Sequence, residues 1–299
     1  MFSLRAKSKS LNLPIDIELD LFEKLVNPIL LYGSEVWGCE ENLKEIEHFQ
    51  ISFYKQLLKI NKRSANCMAF GELGKHSIFK NIEMRMLLFW IRIVTSKTSK
   101  LSHIVYDIMK SLFDLDIYRS PWIVKIKNSI DKLGLSYLWD TIGSKDAKWL
   151  ELIIKQRLDD VYSQNWHYEV NHNSHCLNYR IFKQTCTFEK CLIKLPFKYR
   201  VILCKFRCGN HRLPIVSGRY SNVDRSQRFC NLCNNSKLGD EFHYLFECTE
   251  FEQARTKLLD NYFKKRPDSI KMYKLFNSPL PSTLLKLSKF CSIIMDRFK

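Results

Sequence analysis

The sequence predicts a mainly α-helical protein, with a helical array followed by a small compact module and C-terminal helices. Only 9 Gly and 8 Pro interrupt the 299 residues, which is few for a protein of many short strands and turns. Apolar residues recur every three or four positions over long stretches, as they do on one face of a helix. With 45% apolar residues, the chain is long enough to bury more than one core.

The apolar periodicity locates the individual helices. The clearest pattern runs from Glu40 to Ile60, where apolar residues mark one helical face over about five turns. Similar patterns predict helices over residues 15–26, 78–95, 102–115, 122–133, 149–164, 180–192, 199–208, 251–265 and 282–298. The first of them is expected to end before Pro28. Residues 70–74 predict a turn, and Gly134 is expected to cap a helix.

The positive charge is concentrated in one part of the chain. The net charge is +17, and residues 176–229 hold twelve Lys and Arg against only Glu189 and Asp224. Eight aromatic residues lie in the same stretch, although helical spacing places most of them in the core. Basic side chains among aromatic ones suit phosphate contact and base stacking, so RNA or DNA is the expected partner.

Cysteine usage and hydropathy indicate an intracellular location, nuclear or cytoplasmic. The chain has an odd number of cysteines, 11, and its first ten residues contain no apolar run of the kind a secretory signal needs. The thiols are therefore expected to be reduced. Because no uncharged apolar stretch approaches the roughly 20 residues that span a bilayer, no membrane partner is expected.

Four residues have the spacing of a metal site. Cys230, Cys233, His243 and Cys248 form a Cys-x2-Cys-x9-His-x4-Cys pattern, in which two thiolates and a further His/Cys pair can converge on one ion. Three sulfurs and one nitrogen, with no position left for water, are typical of a closed structural zinc site. The sequence therefore predicts one structural Zn²⁺ in a zinc knuckle; the alternative is that these are ordinary buried cysteines.

Further candidate site residues precede this knuckle. Cys204, Cys208 and His211 could begin a second metal site, but because no fourth ligand is evident, packed thiols are the preferred interpretation. Seven basic residues are expected to bind nucleic acid: Lys205, Arg207, His211, Arg212, Arg219, Arg225 and Arg228. The alternative for any one of them is a solvated surface charge.

The patterns divide the chain into four parts. Residues 1–164 form the helical array, and the polar, Asn- and His-rich residues 165–178 are expected to be a linker. Residues 179–265 form the basic nucleic-acid-binding region with the knuckle, and residues 266–299 carry the last helix.

Several of these segments resemble the C-terminal region of the reverse-transcriptase polyprotein of non-LTR retrotransposons, the LINE-type elements. Residues 28–38 are similar to the segment that follows the polymerase thumb in that family. The residues on the family pattern there are Tyr32, Gly33, Glu35, Trp37 and Gly38. Residues 65–74 look like the next block, and residues 204–219 and 239–248 resemble the family's terminal Cys/His domain.

The resemblance implies a nucleic-acid-binding fragment of an RNA-directed DNA polymerase. Family polymerases hold their metals with a Tyr-x-Asp-Asp turn, and this chain has no such turn. Its Asp159 and Asp160 lie in a helical pattern and are expected on a solvated face. The endonuclease site would also lie upstream. The chain is therefore expected to have no catalytic residues, and the polymerase portion of the parent polyprotein is a possible partner.

Two other interpretations remain open. The helices could form a protein-interaction module in which zinc serves only folding. A stand-alone enzyme is disfavoured, because the sequence contains no Gly-rich phosphate loop or nucleophile motif, and a closed zinc site leaves no position for substrate.

Overall fold

The computed structural model describes residues 13–40, 43–142, 146–233 and 236–299, and it is mainly helical, as predicted. Within these ranges there is no strand, only two isolated antiparallel bridges, Leu73 with Phe188 and Phe229 with Leu238. The α-helices are Ile15–Leu21, Asn27–Leu30, Ser34–Trp37, Lys44–Leu57, Asn66–Leu73, Ile78–Val94, Leu101–Asp114, Pro121–Lys132, Leu138–Thr141, Ala147–His172, Tyr179–Phe182, Cys191–Lys194, Phe197–Arg207, Pro214–Tyr220, Glu241–Phe246, Glu252–Leu258, Asn261–Lys264, Ser269–Phe276 and Pro281–Asp296. Short 3-10 helices cover Ser174–Cys176, Arg225–Gln227 and Thr249–Phe251.

The chain forms two compact units, each built from separate stretches. The first unit contains Leu19–Gln50 and His76–Asn165, and the second contains residues 13–18, Ile51–Lys75 and Trp166–Lys299. The predicted division differs, because residues 51–75 belong with the C-terminal half and residues 179–299 form one unit. A sequence pattern reports which face of a helix is buried, but it does not report against which other segment.

The first unit is built around the helix Ile78–Val94. Ile82, Met86 and Trp90 on this helix are buried, and they belong to a cluster that includes residues from Pro121–Lys132. Gly134, with φ +69°, follows that second helix in the left-handed conformation of a C-cap, as expected. Asp159 and Asp160 are exposed on a helix, as predicted.

The first helical segment does not end before Pro28 as predicted. A π-helical turn, Phe22–Val26, follows Ile15–Leu21, and the helix Asn27–Leu30 continues from it. Pro28 lies in the first turn of that helix, directly after the π-helical turn, and the first turn is where a helix tolerates proline best.

The second unit is built around its last helix, Pro281–Asp296. This helix packs against Phe197–Arg207, Glu252–Leu258 and Ser269–Phe276. Leu287, Phe290 and other apolar residues of the helix are buried, and the Ser288 hydroxyl donates to the backbone carbonyl of Tyr199 at 2.6 Å. The unit therefore has its own apolar core.

Two predictions for this unit are wrong. Residues 165–172 are not a linker, because the helix Ala147–His172 includes them and buries Trp166 and Val170. Residues 70–74 are not a free turn either, since Gly71 lies within the helix Asn66–Leu73. A Cβ at Gly71 would lie 2.5 Å from the Tyr179 hydroxyl. This glycine therefore allows close side-chain packing, and it does not reverse the chain.

The predicted helix over residues 180–192 is also wrong. Only Tyr179–Phe182 and Cys191–Lys194 are helical. Between them the backbone N–H of Glu189 donates to the carbonyl of Glu72 at 2.9 Å. A long-range hydrogen bond of this kind replaces the local helical one, and the sequence periodicity of residues 180–192 gives no sign of it.

Candidate metal centre and basic surface

The elements that position the four predicted ligands are short. Cys230 and Cys233 lie in the loop that follows Phe229, whose bridge to Leu238 closes the loop. His243 lies on the helix Glu241–Phe246, and Cys248 begins the next turn. The Asp240 carboxylate accepts from the backbone N–H of His243 at 2.9 Å, as an N-cap does. The cap fixes the direction in which this helix presents its histidine.

The structure brings all four ligands together. The Sγ atoms of Cys230 and Cys248 are 3.9 Å apart, and the Cys233 Sγ lies 3.4 Å from the Nε2 of His243. All four ligand atoms lie within 4.8 Å of one another, and all four residues are buried. This Cys3His cluster could therefore hold a metal ion.

The thiols of the cluster differ in acidity. Burial opposes ionisation of Cys230, but nearby Tyr244 and the backbone N–H groups of Leu232 and Cys233 stabilise the thiolate, and together they lower the pKa of Cys230 to about 6. Burial, then the charge and hydrogen bond of Cys230, raises the pKa of Cys248 to about 12. The protein thus stabilises one thiolate by itself, and a cation is needed to hold several together.

A carboxylate outside the cluster orients its histidine. The Nδ1 of His243 lies 3.2 Å from the carboxylate of Glu247, and the Lys237 ammonium donates to the same carboxylate at 2.9 Å. A metal-binding histidine commonly gives its second nitrogen to a carboxylate, which fixes the tautomer and raises the basicity of the ligand nitrogen. Glu247 is not among the residues predicted from the sequence, although its i+4 spacing from His243 is a usable signal.

No other group of three or more His, Cys, Asp or Glu residues in the described part of the chain is arranged to hold an ion. Cys204 and Cys208 are buried, and the Nε2 of His211 lies 3.0 Å from a carboxylate oxygen of Glu241. The interpretation of Cys204 and Cys208 as packed thiols therefore agrees with the structure, whereas His211, expected to bind nucleic acid, pairs with a carboxylate of the protein. All eleven cysteines are free thiols.

Comparison of the chain with protein-family models, with curated proteins and with solved structures finds no match. None of the helices described is long and apolar enough to cross a membrane.

The segment that carries the four clustered ligands is called the Cys3His loop. Backbone hydrogen bonds connect it to the helix Pro214–Tyr220, which contains Arg219. The N–H of Ile215 donates to the carbonyl of Gly239 at 3.1 Å, and the N–H of Gly239 donates to the carbonyl of Arg228 at 2.8 Å. The Arg228 guanidinium donates to the carbonyls of Ile215 and Val223 at 2.8 to 3.0 Å. The order of the loop and the position of this helix are therefore coupled.

Arg207, one of the predicted nucleic-acid-binding residues, is in the interior, and that part of the prediction is wrong. Its side chain is 0% exposed and forms a two-pronged ion pair with Glu72, with nitrogen–oxygen distances of 2.9 Å. A second carboxylate, Glu189, lies 3.2 Å away, and the guanidinium stacks 4.8 Å from the centre of the Phe182 ring. Helical periodicity cannot distinguish a buried, paired arginine from one at the surface.

Two further predicted residues are held by the protein itself. His211 is buried against Glu241, and the guanidinium nitrogens of Arg228 donate to backbone carbonyls. Arg212 is exposed, and Lys205, Arg219 and Arg225 are partly exposed. These four can reach a ligand.

Proposed function

We propose that this chain is the nucleic-acid-binding C-terminal part of a non-LTR retrotransposon reverse transcriptase, with one structural zinc ion. The observation that carries the proposal is the connection between a Cys3His cluster and the helix Pro214–Tyr220, which lies between Arg212 and Arg225 in the chain and contains Arg219. The metal orders the loop, and the loop fixes the surface that contacts nucleic acid. The parent protein is proposed from the resemblance of four segments of the chain to the retrotransposon family.

Zinc fits the ligand set. A zinc ion with Zn–S distances of about 2.3 Å and a Zn–N distance of about 2.1 Å separates two sulfurs by roughly 3.8 Å, and sulfur from nitrogen by roughly 3.6 Å. The separations of 3.9 Å and 3.4 Å in the cluster are close to these values. Cys230, Cys233 and Cys248 would bind through sulfur and His243 through Nε2. Thiolate and imidazole ligands also disfavour Mg²⁺ and Ca²⁺, which prefer oxygen.

Nucleic acid suits the charge of the surface near the Cys3His loop. Arg212 is exposed and forms no ion pair or side-chain hydrogen bond with the residues that the structure describes. Arg219 and Arg225 follow on the same part of the chain and are partly exposed. The pKa of the Arg219 guanidinium is lowered, first by burial and then by repulsion from Arg228 and Arg225. Attraction by Glu241 acts in the opposite direction. An incoming phosphate would relieve that repulsion.

Catalysis by these residues is not part of the proposal. Four protein ligands complete a tetrahedral zinc site and leave no position for a substrate or a water molecule. Asp159 and Asp160, the Asp-Asp pair of the sequence, are exposed on a helix, and Asp159 pairs with Lys80. The polymerase and endonuclease chemistry of the parent protein would come from other parts of it.

Nucleic-acid binding should weaken steeply with salt. If about three phosphates are neutralised, the logarithm of the affinity falls with the logarithm of the salt concentration with a slope of about −3, or roughly fiftyfold between 50 and 200 mM. Fluorescence anisotropy of the full chain with a labelled oligonucleotide measures this slope. An affinity that is unchanged over this range would contradict binding through phosphates.

Arg212→Ala should weaken binding to every sequence by a similar factor, several-fold at 100 mM salt, and should reduce the salt slope by about 1. The exposed side chain contributes little to folding, so the variant should retain its metal and its melting temperature. Lys257→Ala, on a helix of the same unit, serves as a charge-matched control. Equal losses for the two variants would indicate that only net charge matters.

A second candidate function is protein docking through the helix Leu101–Asp114. Leu101, Ile104, Val105 and Ile108 lie on one face of this helix, and all four are exposed. Apolar residues at this spacing normally face a partner, and the polymerase portion of the parent polyprotein would be that partner. Docking through apolar contact should respond little to salt. Ile104→Asp combined with Ile108→Asp places charges on this apolar face, so the double variant should lose docking and keep its nucleic-acid affinity.

A further inference from the structure

The second unit contains a cleft that the metal centre does not use. Its volume is about 370 Å³, within the range of about 300–1,000 Å³ that is typical of small-ligand sites. Residues from two parts of the chain line it, from Asn61 to Met68 and from Cys208 to Tyr220, together with His175. These parts are more than a hundred residues apart in sequence, so the cleft exists only in the folded unit.

The charge of the cleft favours an anion. Arg63, Arg212 and Arg219 line it, and no Asp or Glu is among its lining residues. The Arg219 guanidinium is held in place, because it donates to the Nδ1 of His175 at 2.8 Å and to the carbonyl of Ser174 at 3.1 Å. A fixed guanidinium loses little side-chain entropy when it binds a phosphate.

The cleft also offers a surface for a flat ring. Tyr220 is 65% exposed, and the Arg63 guanidinium lies over its ring, 5.9 Å from the ring centre. Met68 and Val216 supply apolar surface in the same cleft. Exposed aromatic rings beside cations are the elements with which proteins bind unpaired bases, because every base has a face that can stack.

We infer that this cleft binds one unpaired nucleotide of a single-stranded nucleic acid. The base stacks on Tyr220, and Arg212 and Arg219 contact the adjacent phosphates. The inference rests on the proposed function and deepens it, because bases in a duplex are stacked on one another and cannot enter the cleft. An acidic peptide would satisfy the three arginines but would make no use of the exposed tyrosine ring.

Tyr220→Ala tests the inference directly. Loss of one base–tyrosine stack should weaken the binding of a single-stranded oligonucleotide about five- to hundredfold. Binding of a duplex of the same sequence should not change. Tyr220→Phe should keep most of the affinity, since the ring remains. Anisotropy with labelled RNA and DNA versions, at one fixed salt concentration, gives all of these values for the full chain.

Tyr262→Ala is the matched control. Tyr262 is also exposed and carries the ammonium groups of Lys271 and Lys274 over its ring, at 5.0 and 5.4 Å, but it does not line the cleft. This variant should bind single strands as the unsubstituted protein does. An equal loss for Tyr220→Ala and Tyr262→Ala would overturn the inference.

The same experiment separates this inference from the proposed function. If Arg212→Ala weakens single strands and duplexes alike while Tyr220→Ala weakens neither, the protein binds nucleic acid and the nucleotide cleft is wrong. If polyglutamate displaces the single strand as well as an oligonucleotide of equal charge does, the cleft is an acidic-peptide site and the inference is also overturned. Selective loss of single-strand binding in Tyr220→Ala alone supports it.

Discussion

Arg207→Ala should destabilise the second unit by about 3–5 kcal/mol, the usual cost of removing one partner from a buried ion pair. The substitution leaves the Glu72 carboxylate 0% exposed and without its guanidinium. Burial raises the pKa of the Glu189 carboxyl, but attraction by Arg207 and Lys183 outweighs burial and lowers this pKa. Arg207→Ala removes one of these two attractions. Urea unfolding followed by circular dichroism measures the change. The melting transition of this unit should move to lower temperature by several degrees.

Arg212→Ala is the control for this prediction, because it removes an exposed arginine from the same part of the chain. Its effect on stability should stay within about 0.5 kcal/mol. Combining Arg207→Met with Glu72→Met should recover part of the loss, since the uncompensated carboxylate is then gone. If Arg207→Ala instead kept full stability and lost nucleic-acid affinity, Arg207 would be at the surface, as the sequence suggested.

Cys230→Ser should release the metal and disorder the loop of residues 228–248. Structural zinc sites contribute on the order of 10 kcal/mol of binding energy to the folding of small domains, and a serine hydroxyl does not replace a thiolate ligand. Nucleic-acid affinity should fall with the metal, because Gly239 and Arg228 connect the loop to the helix Pro214–Tyr220. Metal content and anisotropy on the same sample measure both effects.

Cys291→Ser provides the matched control for this substitution. Cys291 is buried in the helix Pro281–Asp296 and is not one of the four clustered ligands, so the variant should keep its metal even if it is somewhat less stable. Nucleic-acid binding that survives intact in metal-free Cys230→Ser would break the proposed link between metal and function.

The ligands of the cluster and the main helices could be predicted from the sequence for physical reasons. Metal ligands reveal themselves by residue type and spacing, as Cys230, Cys233, His243 and Cys248 do. Long amphipathic helices such as Ile78–Val94 have a periodicity that one buried face imposes. Both signals are local in the sequence.

The parts that could not be predicted depend on contacts between distant residues. The burial of Arg207 depends on Glu72, 135 residues away, and the cleft brings Arg63 to Tyr220. The bridge of Leu73 to Phe188 accompanies extended backbone where periodicity predicted a helix. The polar composition of residues 165–178 indicated a linker, but Trp166 in this stretch donates to the carbonyl of Cys67 at 2.8 Å and is buried. Trp166 and Val170 are both buried, and the helix Ala147–His172 continues through them.

Elemental analysis of the purified chain, combined with oligonucleotide binding before and after treatment with a chelator, tests the central claim most directly. We expect about one zinc per chain, loss of nucleic-acid affinity when the chelator removes it, and recovery when zinc is added back. A correctly folded protein that contains no zinc, or one that binds nucleic acid equally well without it, would contradict the account.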